Sequence, residues 1–169
     1  SMSETEISSS IIRAEKKSDM QVVYIHWGTE YKEQSSDSQR KLAETMVDAG
    51  ADLIIGHHPH VVQEVDIING VPVFYSLGNF IFDQYFSEEV QQGLVLELNF
   101  EPQPELIIKP VSSTESLSQP KFITGDEKAE FLFAVSERSA DEISNAVRNG
   151  RLPFLSRFAS SPKTAMITK

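Results

Sequence analysis

Apolar positions recur along the chain with two different periods. Between Ser3 and Lys17, residues Ile7, Ile11, Ile12 and Ala14 fall on one helical face, which predicts a short amphipathic helix. Met20–Ile25 is a continuous run rich in β-branched residues, too short for a helix, and reads as a buried parallel strand. His26–Ser35 reads as a loop. Ser36 then stands three residues before Gln39, the spacing of a capping box. Leu42, Ala43, Met46, Val47 and Ala49 follow at helical intervals, and Gly50 supplies the C-terminal stop. Asp52–Ile55 is a second buried strand. Strand, helix and strand form a right-handed unit whose two strand ends share one sheet edge. In open α/β sheets that edge is where ligands bind.

Beyond residue 60 the period changes to two. Val61–Ile68 and Val71–Leu77 flank Asn69-Gly70, a strong hairpin signal, and Pro72 sits near a strand start, where a missing N–H is tolerated. Ile81–Glu89 is an irregular loop carrying Phe82, Tyr85 and Phe86. Gly93–Phe100 alternates as a strand, with Leu106–Val111 as its antiparallel partner across a turn at Pro102–Pro104. Ser112–Pro120 is a serine-rich linker. Thr124 with Glu127, and Ser139 with Glu142, have capping-box spacing and predict helices to about Ser136 and about Asn149. Leu152–Lys169 has no clear period and is expected to be partly disordered or to dock onto a neighbour. The domain division that follows is 1–111, a linker at 112–120, and a helical segment with a tail at 121–169.

The four histidines, His26, His57, His58 and His60, all come just past a predicted strand. Two readings stand. Strand-end histidines can bond backbone carbonyls, or they can bind a transition metal, for which imidazole is the commonest protein ligand. A His-x-His at a strand end places alternate side chains on one side, which pairs His58 with His60 and turns His57 toward core or backbone. Glu30 is either a solvated loop carboxylate, a group that orients a ligand histidine, or a contact to a substrate amine. Asn79 reads as a turn residue or a polar contact near the same edge, and Asp83 as a cap or a ligand. Trp27 and Tyr31 read as loop packing.

Composition narrows the functional classes. With 169 residues the chain is long enough for one domain with a real core, and its formal net charge of −10 argues against a nucleic-acid partner. The absence of cysteine excludes disulfides, thiolate ligands and a cysteine nucleophile. No apolar run approaches the ~18 residues of a membrane span, and no signal peptide is visible. No phosphate-cradling glycine loop or nucleophile elbow occurs.

Three stretches carry a family resemblance. His26-Trp27-Gly28-Thr29-Glu30-Tyr31, Gly50–His60 with its Ile55-Gly56-His57-His58-Pro59-His60 end, and Tyr75-Ser76-Leu77-Gly78-Asn79-Phe80-Ile81-Phe82-Asp83 resemble the HWGxEY, GAD-aliphatic-IGxHPH and YSLGNFxFD blocks of the bacterial capsule-synthesis CapA (poly-γ-glutamate synthesis) family. The resemblance covers roughly Asp19–Pro110. That family is similar to calcineurin-like metallophosphoesterases. The resemblance implies an α/β fold with α+β character: a partial metallophosphoesterase-like β-sandwich flanked by helices, in which a parallel βαβ unit precedes antiparallel strands and C-terminal helices. It implies that His26, His58 and His60 are metal ligands, with Glu30 in support and Asn79 and Asp83 as further site residues. The divalent ions implied for the full-length protein are manganese, iron or zinc. The family's Gly-Asp, Asn-Leu-Glu and Asn-His blocks, which would supply a bridging carboxylate, an asparagine ligand and a substrate-facing histidine, are not found ahead of His26. The chain therefore resembles the C-terminal half of such a protein, and a two-metal site is not expected from it alone.

The function implied is a part in poly-γ-glutamate capsule biosynthesis through a metal-dependent hydrolase-like site, with a poor catalyst expected of the fragment by itself. A non-catalytic, metal-stabilised scaffold and a metal-dependent phosphoesterase are the alternatives. The implied partners are membrane polymer-synthesis proteins and a polyanionic glutamate polymer or phosphoester substrate. The implied location is the cell surface or the outer side of a membrane. An uncovered apolar strand edge also predicts a homodimer or higher oligomer, with a tail at 1–17 or 152–169 crossing to the neighbour.

Overall fold

The first helix, α1 (Glu4–Glu15), starts at a capping box: Ser3 Oγ accepts from the Glu6 amide and the Glu6 carboxylate accepts from the Ser3 amide. In this computed structural model residues 2–100 and 104–153 are described. Strand β1 (Val22–His26), helix α2 (Asp37–Asp48) and strand β2 (Leu53–His57) form the expected parallel unit. The Ser36–Gln39 capping box opens α2 as its spacing predicts. Both strands run one or two residues beyond the predicted ends, so His26 and His57 are their last residues and not the first residues of the loops.

The hairpin around Asn69-Gly70 forms between β3 (Val65–Ile68) and β4 (Val71–Phe74). Both turn residues have positive φ, 51° and 82°, as a tight right-twisting hairpin turn requires. It is shorter than predicted. Val61–Glu64 leaves the ladder, and Val62 meets Leu77 only through an isolated bridge. β4 also pairs in parallel with β2, which gives the sheet order β1-β2-β4-β3.

A second sheet follows, built on β5 (Gln92–Asn99) and β6 (Glu105–Ser112), which are antiparallel as predicted. The turn predicted at Pro102–Pro104 lies mostly outside the described residues. β7 (Lys121–Phe122) pairs with β6 after the 112–120 connection. Helices α3 (Gly125–Arg138) and α4 (Asp141–Arg148) come next. Neither uses its predicted capping box. Thr124 makes no side-chain cap bond, and the N-cap of α4 is Ala140, with the Ser139 hydroxyl engaged elsewhere. That hydroxyl donates to the Val135 carbonyl at 2.8 Å and accepts from the Val65 amide at 3.0 Å, tying α3 to β3. β8 (Arg151–Pro153) returns to β6 with Leu152 buried, so the predicted irregular tail begins with an ordered strand. Residues 154–169 lie outside the described residues. The whole is a mixed α/β fold with four described helices.

Strand alternation divides the first sheet into two faces. Ile54, Val73 and Tyr75 pack against Ile11 of α1 and Ala43, Met46 and Val47 of α2. On the other face Leu53, Val65 and Phe74 share a core with Leu94, Leu106 and Ile108 of the second sheet and with Leu132, Val135, Ile143 and Val147 of α3 and α4. That second face is uncovered over β1, where Val22 is 50% and Tyr24 71% exposed.

The two halves of the first sheet meet at one tight contact. The Trp27 indole Nε1 donates to the Tyr75 carbonyl at 2.8 Å, and the two rings stack at 5.7 Å. Gly56 lies directly beneath. A Cβ on Gly56 would stand 2.0 Å from the Tyr75 oxygen and 2.3 Å from the indole nitrogen. Gly56 is needed for this close approach, since backbone and a buried indole cannot yield as a flexible side chain would. Gly56→Ala is therefore expected to cost about 3 kcal/mol or more through overpacking and loss of the indole bond. Urea unfolding measures it, and a cost under about 1 kcal/mol would show that the junction is looser than these distances imply.

Candidate functional site

Three loops leave the same edge of the first sheet, after β1, β2 and β4. Backbone bonds join them: Trp27 N–H to the His57 carbonyl at 3.0 Å, Tyr31 N–H to the Pro59 carbonyl at 2.7 Å, and Leu77 N–H to the Gly56 carbonyl at 3.2 Å. This brings together Glu30 from the first loop and His58 and His60 from the second. One ligand atom from each lies within 4.8 Å of the other two. Among the described residues no other three histidine or acidic side chains converge so closely. His26 stands alongside, its ring centroid 4.4 Å from that of His58, while the His58 and His60 centroids are 6.0 Å apart. The resemblance puts Glu30 in support of three histidines. The geometry places its carboxylate among the converging donors and puts His26 at their flank.

The backbone here is unusual. Tyr31, His58 and His60 have φ of 62°, 103° and 62°, a region that residues other than glycine rarely occupy. The predicted alternation therefore does not govern these histidines, because β2 ends at His57 and the chain turns sharply after it. His57, which the sequence reading turns toward core or backbone, ends β2 outside the converging group. It pairs in register with His26, so it shares that face of the sheet, and its ring lies tilted against Tyr24 at 4.1 Å. Its Nε2 is buried without a hydrogen-bond partner. Burial, and after it the positive charge of a protonated His26, hold its pKa below the ordinary histidine value.

Two residues that the sequence reading passed over hold the Glu30 loop in place. Gln63 and Glu64 are 1% and 2% exposed, though polar. Gln63 Nε2 donates to the carbonyls of Lys32 and Gln34 at 2.8 and 3.1 Å, and its Oε1 accepts from Gln39 at 3.0 Å. Glu64 accepts from the Ser35 amide and hydroxyl and pairs with Arg40 at 2.7 Å. The signal was present: Gln63-Glu64 interrupts an apolar run, and its place beside the hairpin gave it an ordinary strand reading. Glu30 itself is exposed and has no cation within ion-pair distance among the described residues.

His60 is enclosed by other groups. Its Nδ1 is 2.9 Å from Asn79 Oδ1, and its ring faces Phe82 at 4.8 Å and Tyr31 at 6.1 Å. Asn79 is thus a contact of the site as well as a turn residue. Asp83 is exposed in the aromatic loop and lies outside the converging group. Trp27 packs, as its sequence context predicts, whereas Tyr31 lies 42% exposed beside His60.

Comparison with known proteins gives a family for the first half of the chain. The model of the family "Bacterial capsule synthesis protein PGA_cap" matches residues 1–84. The match begins and ends earlier than the Asp19–Pro110 stretch given to the resemblance, and it contains Glu30, His26, His58, His60, Asn79 and Asp83. The chain is 51% identical over 85 residues, half of its length, to the PGA biosynthesis protein CapA of Bacillus subtilis. It is 52% identical over 77 residues, 46% of its length, to the capsule biosynthesis protein CapA of Bacillus anthracis. A probable polyglutamine synthesis accessory protein of Mycobacterium tuberculosis is 24% identical over 78 residues, 46% of this chain and 20% of that protein. The matched stretch spans only 22% and 19% of the two CapA proteins. The part of the chain that carries every candidate ligand, residues 1–84, belongs to the bacterial capsule synthesis family.

Proposed function

We propose that this chain takes part in building or processing a bacterial capsule polymer, and that it does so through a site for one divalent metal ion held by Glu30, His58 and His60. The observation that carries the reading is the convergence of these three donors within 4.8 Å in loops joined by backbone bonds. One carboxylate and two imidazoles suit a borderline ion such as zinc, manganese or iron, and leave coordination positions open. A bound ion of this kind supplies a Lewis acid and a water of lowered pKa.

The protein's own residues do the rest. His58 and His60 offer ring nitrogens, and Glu30 offsets part of the ion's charge. His26, exposed and tilted against His58, could exchange a proton with a substrate group held next to the ion. The names of the relatives support a capsule polymer, poly-γ-glutamate or a related chain, as the substrate class. A cell-envelope setting follows from the same role, and no described helix is long and apolar enough to cross a membrane.

Titration with zinc and with manganese, followed by calorimetry, tests the site. One ion per chain is expected, with His58→Ala, His60→Ala and Glu30→Gln each weakening binding by about 100-fold and His26→Ala by about 10-fold. Failure of both metals to bind, or equal binding by the three ligand variants, would sink the metal reading. In a capsule-forming host that encodes this protein, the His58→Ala/His60→Ala pair should reduce surface polymer. Unchanged polymer alongside lost metal binding would favour a scaffold over a hydrolase.

The left-handed backbone at His58 adds a separate expectation. Such strain costs on the order of 1–3 kcal/mol and persists where surrounding structure enforces it. His58→Gly and His58→Ala both remove the imidazole, but only glycine relieves a φ of 103°. The glycine variant is expected to be more stable than the alanine variant by about 1 kcal/mol in metal-free protein, despite glycine's greater unfolded-state entropy. Thermal or urea unfolding measures the difference. The reverse order would mean that His58 is not strained.

A further inference from the structure

We infer that Asn79 is a positioning residue that fixes the tautomer of His60, leaving Nε2 as the unprotonated ring nitrogen. The deduction runs outward from a group whose role is not adjustable. The Val90 carbonyl can only accept, and Asn79 Nδ2 lies 2.9 Å from it. The same Nδ2 donates to Gln84 Oε1 at 3.3 Å. Gln84 Nε2 in turn lies 2.9 Å from the Tyr31 hydroxyl. Flipping the Asn79 amide would set its oxygen against the Val90 oxygen, two acceptors with no proton between them. The amide oxygen must therefore face His60 Nδ1 at 2.9 Å. An amide oxygen accepts only, so Nδ1 carries the proton, and in a neutral ring Nε2 then has the free lone pair.

The backbone of Asn79 is held as firmly as its side chain. Its amide donates to the Gln92 carbonyl at 3.3 Å. Gly93 lies so close that a Cβ there would stand 2.1 Å from the Asn79 carbonyl oxygen. Phe82 and Tyr31 pack against the imidazole, at 4.8 and 6.1 Å between ring centroids. An imidazole ready to bind an ion needs this arrangement: one nitrogen donating to a fixed acceptor, the other free.

The inference depends on the proposed metal role of His60 only for its binding arm. Nitrogen-15 NMR of the metal-free chain, well above the ordinary histidine pKa of about 6.5, reads the tautomer directly. His60 is expected to be protonated at Nδ1 in the parent protein. Asn79→Leu, which offers no acceptor, should move the proton wholly or partly to Nε2, while Asn79→Asp, which keeps an acceptor, should leave it on Nδ1. In a zinc titration Asn79→Leu should weaken binding by about 10–100-fold and Asn79→Asp by clearly less. Protonation of His60 at Nε2 in the parent overturns the inference, and this needs no variant to fold. So does an Asn79→Leu protein with the parent tautomer, or an equal loss of zinc affinity in both variants, which would mean that Asn79 only holds the loop. A parent that binds no zinc but carries the proton on Nδ1 would remove the metal reading and leave the tautomer assignment standing.

Discussion

The contact of Trp27, Gly56 and Tyr75 is the constraint on which the rest of the site depends. Gly56 lies in β2, and Trp27 and Tyr75 follow directly on β1 and β4, the three strands whose ends form the site edge. The indole bonds the Tyr75 carbonyl across the bare Cα of Gly56. Interiors are packed at crystal density, so a junction with no spare room fixes the relative height of the strands that meet there. The loops after β1, β2 and β4 then leave from a set level. Their backbone bonds, Trp27 to His57, Tyr31 to Pro59 and Leu77 to Gly56, require that level to be held.

Glu30 is exposed, yet it converges with two histidines because of residues that are not exposed at all. A carboxylate buried as completely as Glu64 is costly unless its oxygens are satisfied. Here they are, by the Ser35 amide and hydroxyl and by Arg40. Gln63 is satisfied in the same way by the carbonyls of Lys32 and Gln34. Moving the loop would strand these buried groups without partners, so the loop stays where they put it. The backbone strain at Tyr31, His58 and His60 fits the same account, since surroundings this constrained can hold residues in a region they otherwise avoid.

The stretch shared with the capsule synthesis family ends at residue 84. The support of the site does not end there. Val90, Gln92 and Gly93 lie beyond it and clamp Asn79, and the Leu94 amide bonds the Leu77 carbonyl at 2.8 Å. The second sheet thus takes part in shaping a site whose candidate ligands all come from loops of the first.

The sequence by itself determined the regular elements and the neighbourhood of the site. Periodicity located the parallel βαβ unit, the Asn69-Gly70 hairpin and the β5–β6 pair, because burial on one face forces a spacing that can be read locally. The clustering of histidines at strand ends pointed to the sheet edge where Glu30, His58 and His60 converge. Only the tertiary structure decided what lay outside regular periods. Alternation turned His57 away from His58 and His60 but left its place relative to His26 open, and parallel register sets His57 beside His26, since register is a relation between strands. Ser139 had the spacing of a helix cap and instead bonds β3, as its hydroxyl found a buried amide 74 residues away. Glu30 read as a solvated loop carboxylate, a group orienting a ligand histidine or a substrate contact, and its place beside His58 and His60 depends on Gln63 and Glu64, which fix its loop from another part of the chain. Contacts of this kind are made between segments distant in sequence, so no local pattern of residues encodes them.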